Sequence, residues 1–281
     1  MNAYTVSEFV TAVSAYLEQG LGTVVVQGEV TGYRIAKDRL VYFELKDASA
    51  RVLCFAIVGD FHQPIEDGME IRVTGSAKLF KATGGFHLRV IAIELVGAGA
   101  LQRAFELTKQ KLERDGLFAP EHKKPLPRFP EVVGIVTSKD AAAFTDVVRI
   151  LNNRWGGMHI VLAPAGVQGP GAIPEIVEAL RWCNENGDVR PDVLIVTRGG
   201  GSLEDLQAFN SEDVCRAIFS SRIPVVCGVG HERDTTLAEL VADVRASTPS
   251  NAAERVVPDR RDIAREVNQM AAHFEDILTS A

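Results

Sequence analysis

The apolar residues of this chain change their period once, across a stretch rich in proline and lysine between Pro120 and Pro130, and that change constrains the fold more than any other feature. Before it, apolar and polar residues alternate over short runs bounded by Gly, Asp and Lys: Thr23 to Val30, Leu40 to Leu45, Arg51 to Val58, Met69 to Phe80 and Gly85 to Leu95. Alternation of this kind marks strands with one buried face. Five strands in about 75 residues, with no long helix among them, predict a small closed barrel such as an OB-fold. Ahead of the barrel, Val6, Phe9, Val10, Val13 and Leu17 recur at helical spacing behind a capping Thr5 or Ser7.

After the stretch the pattern is strand then helix, repeatedly. Val132 to Val136 leads to a helix over Ala141 to Leu151, and His159 to Ala163 to one over Gly171 to Cys183. Val193 to Thr197 leads to helices over Leu203 to Phe209 and Asp213 to Phe219, and Pro224 to Val229 to one over Thr236 to Val241. This alternation predicts a parallel sheet with helices on both faces. Between the two patterns, Leu101, Phe105, Leu107 and Leu112 mark a connecting helix ending near Arg114. At the far end Ile263, Val267, Met270, Phe274 and Ile277 form an a/d seam, too short to be a stable helix without a partner. The expected organisation is α/β plus all-β: an OB-fold barrel over 1–100, a connecting helix and linker over 101–130, a parallel-sheet α/β domain over 131–258, and the start of a coiled-coil helix over 259–281.

A chain of 281 residues suits two domains at ~100 to 200 residues each. Its longest apolar runs, such as Ile223 to Val229, fall far short of the ~20 residues of a membrane-spanning helix. The start MNAYTVSEFV lacks the regions of a signal peptide, so a cytoplasmic protein with no membrane partner is expected. Cys54, Cys183, Cys215 and Cys227 stand singly, which suggests buried thiols rather than a zinc knuckle or a disulfide framework. The net charge of -7 argues against nonspecific nucleic-acid binding. It is unevenly spread, however: residues 131–250 hold ten Lys and Arg against sixteen Asp and Glu, whereas 101–130 hold seven against four. Binding to a nucleic acid is therefore expected to be weak and salt-sensitive, resting on stacking and a few placed cations.

In open α/β sheets, ligands gather beyond the carboxyl ends of the strands. Three strand ends here are polar or glycine-rich: Thr137-Ser138-Lys139-Asp140, before a helix that carries Asp146; Thr197-Arg198-Gly199-Gly200-Gly201-Ser202; and Gly228-Val229-Gly230-His231-Glu232-Arg233-Asp234. Gly199, Gly200 and Gly201 allow backbone amides to approach an anion closely, with Arg198 as a fixed charge and Ser202 beside them, so phosphate is the natural ligand. A plain flexible turn is the competing reading. The run has neither the lysine of a Walker loop nor a dinucleotide fingerprint. His231 and Asp234 stand three apart, so in a helical turn the carboxylate could orient the imidazole for acid or base work. Asp146, mid-helix, reads by itself as a solvated charge. In the barrel, aromatics and cations interleave: Tyr33 with Arg34, Tyr42 and Phe43, Phe80 with Lys81, Phe86 with Arg89. Stacking bases on aromatic faces in a basic groove is how single strands are held. Tyr42 and Phe43 point to opposite sheet faces, so at most one fills the core. Phe80 and Phe86 flank the Lys81 to Gly85 turn and are expected to be exposed.

Taken together, VQGEVTGYR and LVYFELKDASARVLCF in the barrel, then LFAPEHKKPLPRFPEVVGIVTSKDAAAFTDVV, DVLIVTRGGGSLEDLQAFN and IPVVCGVGHERDTTLAELVADVRASTPSNAAE, resemble the large subunit of bacterial exodeoxyribonuclease VII over nearly the whole chain. The resemblance implies an OB-fold that grips single-stranded DNA through residues such as Tyr33, Arg34, Phe80, Lys81, Phe86 and Arg89. It implies an α/β domain that hydrolyses that DNA from both ends to short oligonucleotides, in DNA repair or degradation. It maps catalysis onto Asp146, Arg198, His231 and Asp234, with no cofactor strictly required and Mg2+ an optional ion. The family commonly reads S-P-T-G-A-A where this chain has Ser138-Lys139-Asp140-Ala141-Ala142-Ala143, so the turn here differs and carries an added carboxylate. Family members continue into a long coiled coil that recruits a small subunit. The expectation is a C-terminally truncated large subunit whose small-subunit binding is left open. The rival expectations are a single-strand-binding module that does not cleave and a small-molecule phosphate enzyme with an accessory barrel.

Overall fold

In the computed structural model the described residues are 3–37, 39–169, 171–185, 190–199, 204–230 and 235–280. They form two compact units, Met1–Gln110 and Lys111–Ala281.

The first unit consists of α1 (Val6–Leu21) and five strands, β1 (Thr23–Ala36), β2 (Leu40–Lys46), β3 (Arg51–Ile57), β4 (Glu70–Phe80) and β5 (Gly85–Leu95). They close into a barrel in the order β1-β2-β3-β5-β4, the OB-fold arrangement. β1 closes it: its first half pairs with β4 from Thr23↔Ser76 to Glu29↔Glu70, and its second half with β2 from Glu29↔Lys46 to Ala36↔Leu40. At the crossover a Cβ on Gly28 would stand 2.9 Å from the carbonyl oxygen of Lys46, so a side chain would force the strands apart. β1 extends six residues past the strand legible in the sequence. A register shift between Thr31 and Arg34 resets the alternation there and hides the continuation. Val30, Val41, Phe43, Cys54, Ala56, Ile71, Val73, Leu88 and Val90 fill the interior. Phe43 is thus the core member of its pair, and Tyr42 points outward. Thr5 caps α1 in a reciprocal box with Glu8.

α2 (Gly97–Arg114) runs from the first unit into the second. The second unit continues with β6 (Val132–Thr137), α3 (Ala142–Arg154), β7 (His159–Pro164), α4 (Ala172–Glu185), β8 (Val193–Thr197), a 3-10 turn over Glu204–Asn210, α5 (Glu212–Ser220), β9 (Val225–Gly228), α6 (Leu237–Val241), β10 (Val244–Arg245), α7 (Pro249–Val256) and α8 (Arg260–Ser280). The five strands form a wholly parallel sheet in the order β10-β9-β8-β6-β7. Val133, Ile135, Val193, Ile195 and Val226 point to one side, where Val147 and Leu151 of α3 and Ala252, Ala253 and Val256 of α7 cover them. Val136, Leu194, Val196, Val225 and Cys227 are buried on the other. Such two-sided burial is why these strands read as continuous apolar runs.

Two elements were not legible. β10 is two residues long, and α7 lies behind a proline. Thr248 accepts from Asn251 N at 3.0 Å and Pro249 occupies the first turn, a start signal that the run Thr248-Pro249-Ser250-Asn251 does contain. The stretch over Leu203 to Phe209, read as α-helix, is a 3-10 turn from Glu204. The Pro120 to Pro130 segment is tied into the second unit: Lys123 Nζ donates to the carbonyls of Leu240, Val241 and Ala242 at 2.6–2.7 Å, closing the end of α6. Lys124 pairs with Asp243, whose carboxylate also accepts from Val225 N at 2.7 Å. All four cysteines are buried and unbridged. Burial pushes the thiol of Cys54 up to about 12 and that of Cys183 to about 11, so they stay protonated at neutral pH.

Candidate functional site

The sheet order decides where a site can form. β6 comes first in the sheet yet lies between β7 and β8, so the chain leaves it in one direction and returns across it in the other. This is the 2-1-3-4-5 arrangement, whose crevice opens between the carboxyl ends of the first and third strands. Here those are β6 and β8, in register at Val136↔Val196, with β9 adjoining at Thr197↔Gly228. The three polar strand ends singled out in the sequence therefore neighbour one another on one edge.

Arg198 follows β8 directly. It is 4% exposed, and its Nε donates to the carbonyl of Gly199 at 2.9 Å, which holds the side chain against its own loop. Thr197 Oγ1 donates to Gly228 O at 2.7 Å and locks the ends of β8 and β9 together. Across the crevice Thr137 ends β6 fully buried, its hydroxyl without a hydrogen-bond partner among the described residues. α3 begins five residues later. Thr5, Ser211, Thr236 and Thr248 cap their helices with side-chain oxygens, but Ala141 cannot, and Phe144 N in the first turn of α3 donates instead to Ala141 O at 3.0 Å. Asp146 lies in the second turn of α3, half-exposed, and accepts from Arg149 at 2.7 Å.

The loop after β9 is held by a residue that the sequence reading passed over. Glu239, on α6, has a fully buried carboxylate. Its Oε1 accepts from Val229 N at 3.2 Å and Gly230 N at 2.9 Å, and its Oε2 from Thr236 N at 3.0 Å. Both ends of the 229–236 segment are thus fastened to one side chain. Arg245 Nε stands 3.6 Å from Oε2 and offsets part of the buried charge. The signal was present as Thr236-Leu237-Ala238-Glu239, a capping box, but nothing local says that its carboxylate also reaches β9. Burial, and then the negative charge of Glu239, push the Cys227 thiol well above its ordinary value. Gly200, Gly201, Ser202, His231 and Asp234 lie outside the described residues. Among the described residues no three His, Cys, Asp or Glu side chains gather as a metal site would need. Asp146, one of the two carboxylates onto which the resemblance maps catalysis, is engaged by Arg149.

On the barrel, cross-strand register assembles a second feature. Arg34 of β1 pairs with Tyr42 of β2, Tyr42 with Phe55 of β3, and Phe55 with Arg89 of β5. Tyr42, Phe55 and Arg89 point outward, because their neighbours Val41, Phe43, Cys54, Ala56, Leu88 and Val90 are buried, and Arg34, exposed and directly opposite Tyr42, shares their face. The Tyr42 and Phe55 rings lie 5.6 Å apart at 37°, and the Arg34 guanidinium sits 5.6 Å from the Tyr42 ring centre. Two tilted aromatic rings between two arginines offer flat faces on which a planar ring can stack, with cations at both ends. Arg34 and Arg89 were singled out from the sequence, but Phe55 was not, because only register places it beside Tyr42. Phe80 and Phe86 are about half exposed on the β4–β5 hairpin, with Lys81 at its tip. Tyr33 packs partly against the barrel core, and burial raises its phenol above the usual value.

Residues 117–281 match the model of the family described as exonuclease VII, large subunit, and residues 4–94 that of an OB-fold nucleic acid binding domain. Relatives named exodeoxyribonuclease 7 large subunit include that of Salinibacter ruber, 44% identical over 98% of this chain and 71% of the relative. Those of Geobacter metallireducens and Neisseria gonorrhoeae are each 43% identical, over 94% and 98% of this chain and 58% and 61% of the relative. The chain thus spans 58–71% of the length of these relatives. Among solved structures, the second OB-fold domain of replication protein A from Methanococcus maripaludis is similar at 20% identity and a TM-score of 0.22, covering 33% of this chain and 93% of that domain. With one family model matched over more than half of its residues and a relative matched along 71% of its length, this chain belongs to the exodeoxyribonuclease VII large-subunit family.

Proposed function

We propose that this chain hydrolyses single-stranded DNA from both the 5′ and the 3′ end to short oligonucleotides, serving DNA degradation or repair in the cytoplasm. The observation that carries the reading is the buried, backbone-anchored Arg198 at the carboxyl edge where β6 and β8 diverge. A fixed guanidinium there stabilises the charge that builds on a phosphate under attack, usually the largest catalytic contribution. The amides of Gly199, Gly200 and Gly201, with Ser202, cradle the same group. His231 is the general acid or base, Asp234 orients it, and Asp146 positions water. No step is assigned to a metal. The barrel holds the strand through Arg34, Tyr42, Phe55 and Arg89, aided by Phe80, Lys81 and Phe86. The exposed seam of α8, with Val267, Met270, Phe274 and Ile277, supports docking of the small subunit.

The test is incubation with 5′- and 3′-labelled single strands, with and without EDTA. Shortening of both labels is expected, and its loss in His231→Ala with DNA affinity retained. Binding without shortening by the unsubstituted chain leaves only a DNA-binding module. For the barrel, Phe55→Ala should weaken single-strand binding by ~1 to 3 kcal/mol, the worth of one stacked base, read by fluorescence anisotropy. Unchanged affinity removes the β2–β3 face from the DNA path.

A further inference from the structure

A small polar cavity of about 190 Å3 in the second unit is lined by Arg245, Ser247, Asn251 and Arg255, none of which is given a part in the reaction above. We propose that it binds one phosphate group of the DNA strand next to the reacting one, an inference that rests on the nuclease reading.

Position argues for it first. β10 pairs in parallel with β9 at Arg245↔Cys227, and Ala246 N donates to Cys227 O at 2.8 Å, so the cavity opens on the same carboxyl edge, one strand beyond the Val229–Gly230 loop. The two are in close contact: a Cβ on Gly228 would stand 2.9 Å from Thr248 O and 3.2 Å from Ala252 Cβ, so the segment after β10 lies directly on the end of β9. Size argues second, since pockets for drug-sized ligands run from ~300 Å3 upward, and this one suits a phosphate group rather than a nucleoside.

Chemistry is the third argument. Arg255 makes no hydrogen bond or ion pair among the described residues, and neither does the Ser247 hydroxyl. Arg245 engages Glu239 loosely, its Nε standing 3.6 Å from Oε2. Asn251 uses Oδ1 for Ser247 N at 3.4 Å and Nδ2 for Glu254 at 3.3 Å, so Glu254 and Glu239 are the carboxylates tied to the cavity wall among the described residues. Two guanidinium forks and a hydroxyl around a small space match a phosphate's three acceptor oxygens. The site is also coupled to the candidate reaction centre. Arg245 touches the carboxylate that fastens both ends of the 229–236 segment, so a phosphate drawing on Arg245 acts on the clasp that holds it.

Two measurements test this. Inorganic phosphate titrated against the chain should raise its thermal midpoint, and the rise should vanish in Arg255→Ala and in Ser247→Asp, which places a negative charge in the cavity. Single-stranded DNA binding, followed against salt, should weaken about tenfold in Arg255→Ala, with the slope of log K on log salt reduced by about one. Equal protection of all three proteins by phosphate, or an unchanged salt slope, overturns the subsite and leaves the nuclease reading intact. Failure of the unsubstituted chain to cleave DNA overturns that reading instead, and phosphate protection then reports on the cavity alone. Circular dichroism confirms that Arg255→Ala, an exposed substitution, is folded.

Discussion

Arg198→Ala is expected to lower the rate of single-strand cleavage by about 10²- to 10³-fold, while binding through the barrel persists, because a preorganised charge aimed at the transition state is worth that much in comparable sites. Two features make the loss large. The side chain is 4% exposed, so its charge acts where water cannot screen it, and its Nε is already committed to Gly199 O, so no reorganisation is needed during reaction. Arg198→Lys should rescue little, because an ammonium on a flexible stem can neither keep the anchor to Gly199 nor offer two parallel donors to a phosphate. Single-turnover cleavage of end-labelled DNA, with anisotropy as the control for binding, separates the two effects. Cleavage within tenfold of the unsubstituted rate in Arg198→Ala would remove this residue from the reaction.

The second large effect is expected at Glu239. Glu239→Ala strips acceptors from the amides of Val229, Gly230 and Thr236 at once, in a place where water does not replace them. Each orphaned buried donor costs ~1 to 3 kcal/mol, and breaking a buried charge pair costs ~3 to 5, so a loss of about 3–5 kcal/mol in denaturant unfolding is expected. Against the ~5 to 15 kcal/mol of an ordinary domain, that is a large share. Glu239→Gln keeps one oxygen for the Val229 and Gly230 amides but turns an NH2 group toward Thr236 N, so it should lose roughly half as much. The Gln protein, folded but with one end of the 229–236 segment unfastened, should also cleave DNA more slowly because His231 lies on that segment. Unfolding of Glu239→Ala at the denaturant concentration of the parent would show that the clasp contributes nothing.

The two outcomes bear on how far local sequence reaches. The parallel sheet was legible from Val132–Val136, Val193–Thr197 and Pro224–Val229 because strands buried on both faces must be apolar throughout, whatever their neighbours. The barrel was legible from alternation alone, except past Thr31, where a bulge breaks the period and the second half of β1 disappears from view. Arg198 and its glycines stood out because a charge beside three glycines after a buried strand is locally unusual. Asp146 did not, since a half-exposed helical aspartate is unremarkable until the sheet order places its helix at the crevice.

What the amino-acid sequence determined by itself was the division into an all-β and an α/β unit, the strand ends where polar groups collect, and that Tyr42 and Phe43 face opposite sides of their strand. These follow from periodicity and burial, which are properties of short segments. Only the tertiary structure decided which segments meet. Register put Phe55 between Tyr42 and Arg89, strand order set β6 against β8, and folding of α6 onto the sheet carried the Glu239 carboxylate to the backbone of Val229 and Gly230. Such contacts join residues distant in sequence, and no local preference encodes a partner that arrives only when the chain has closed around it.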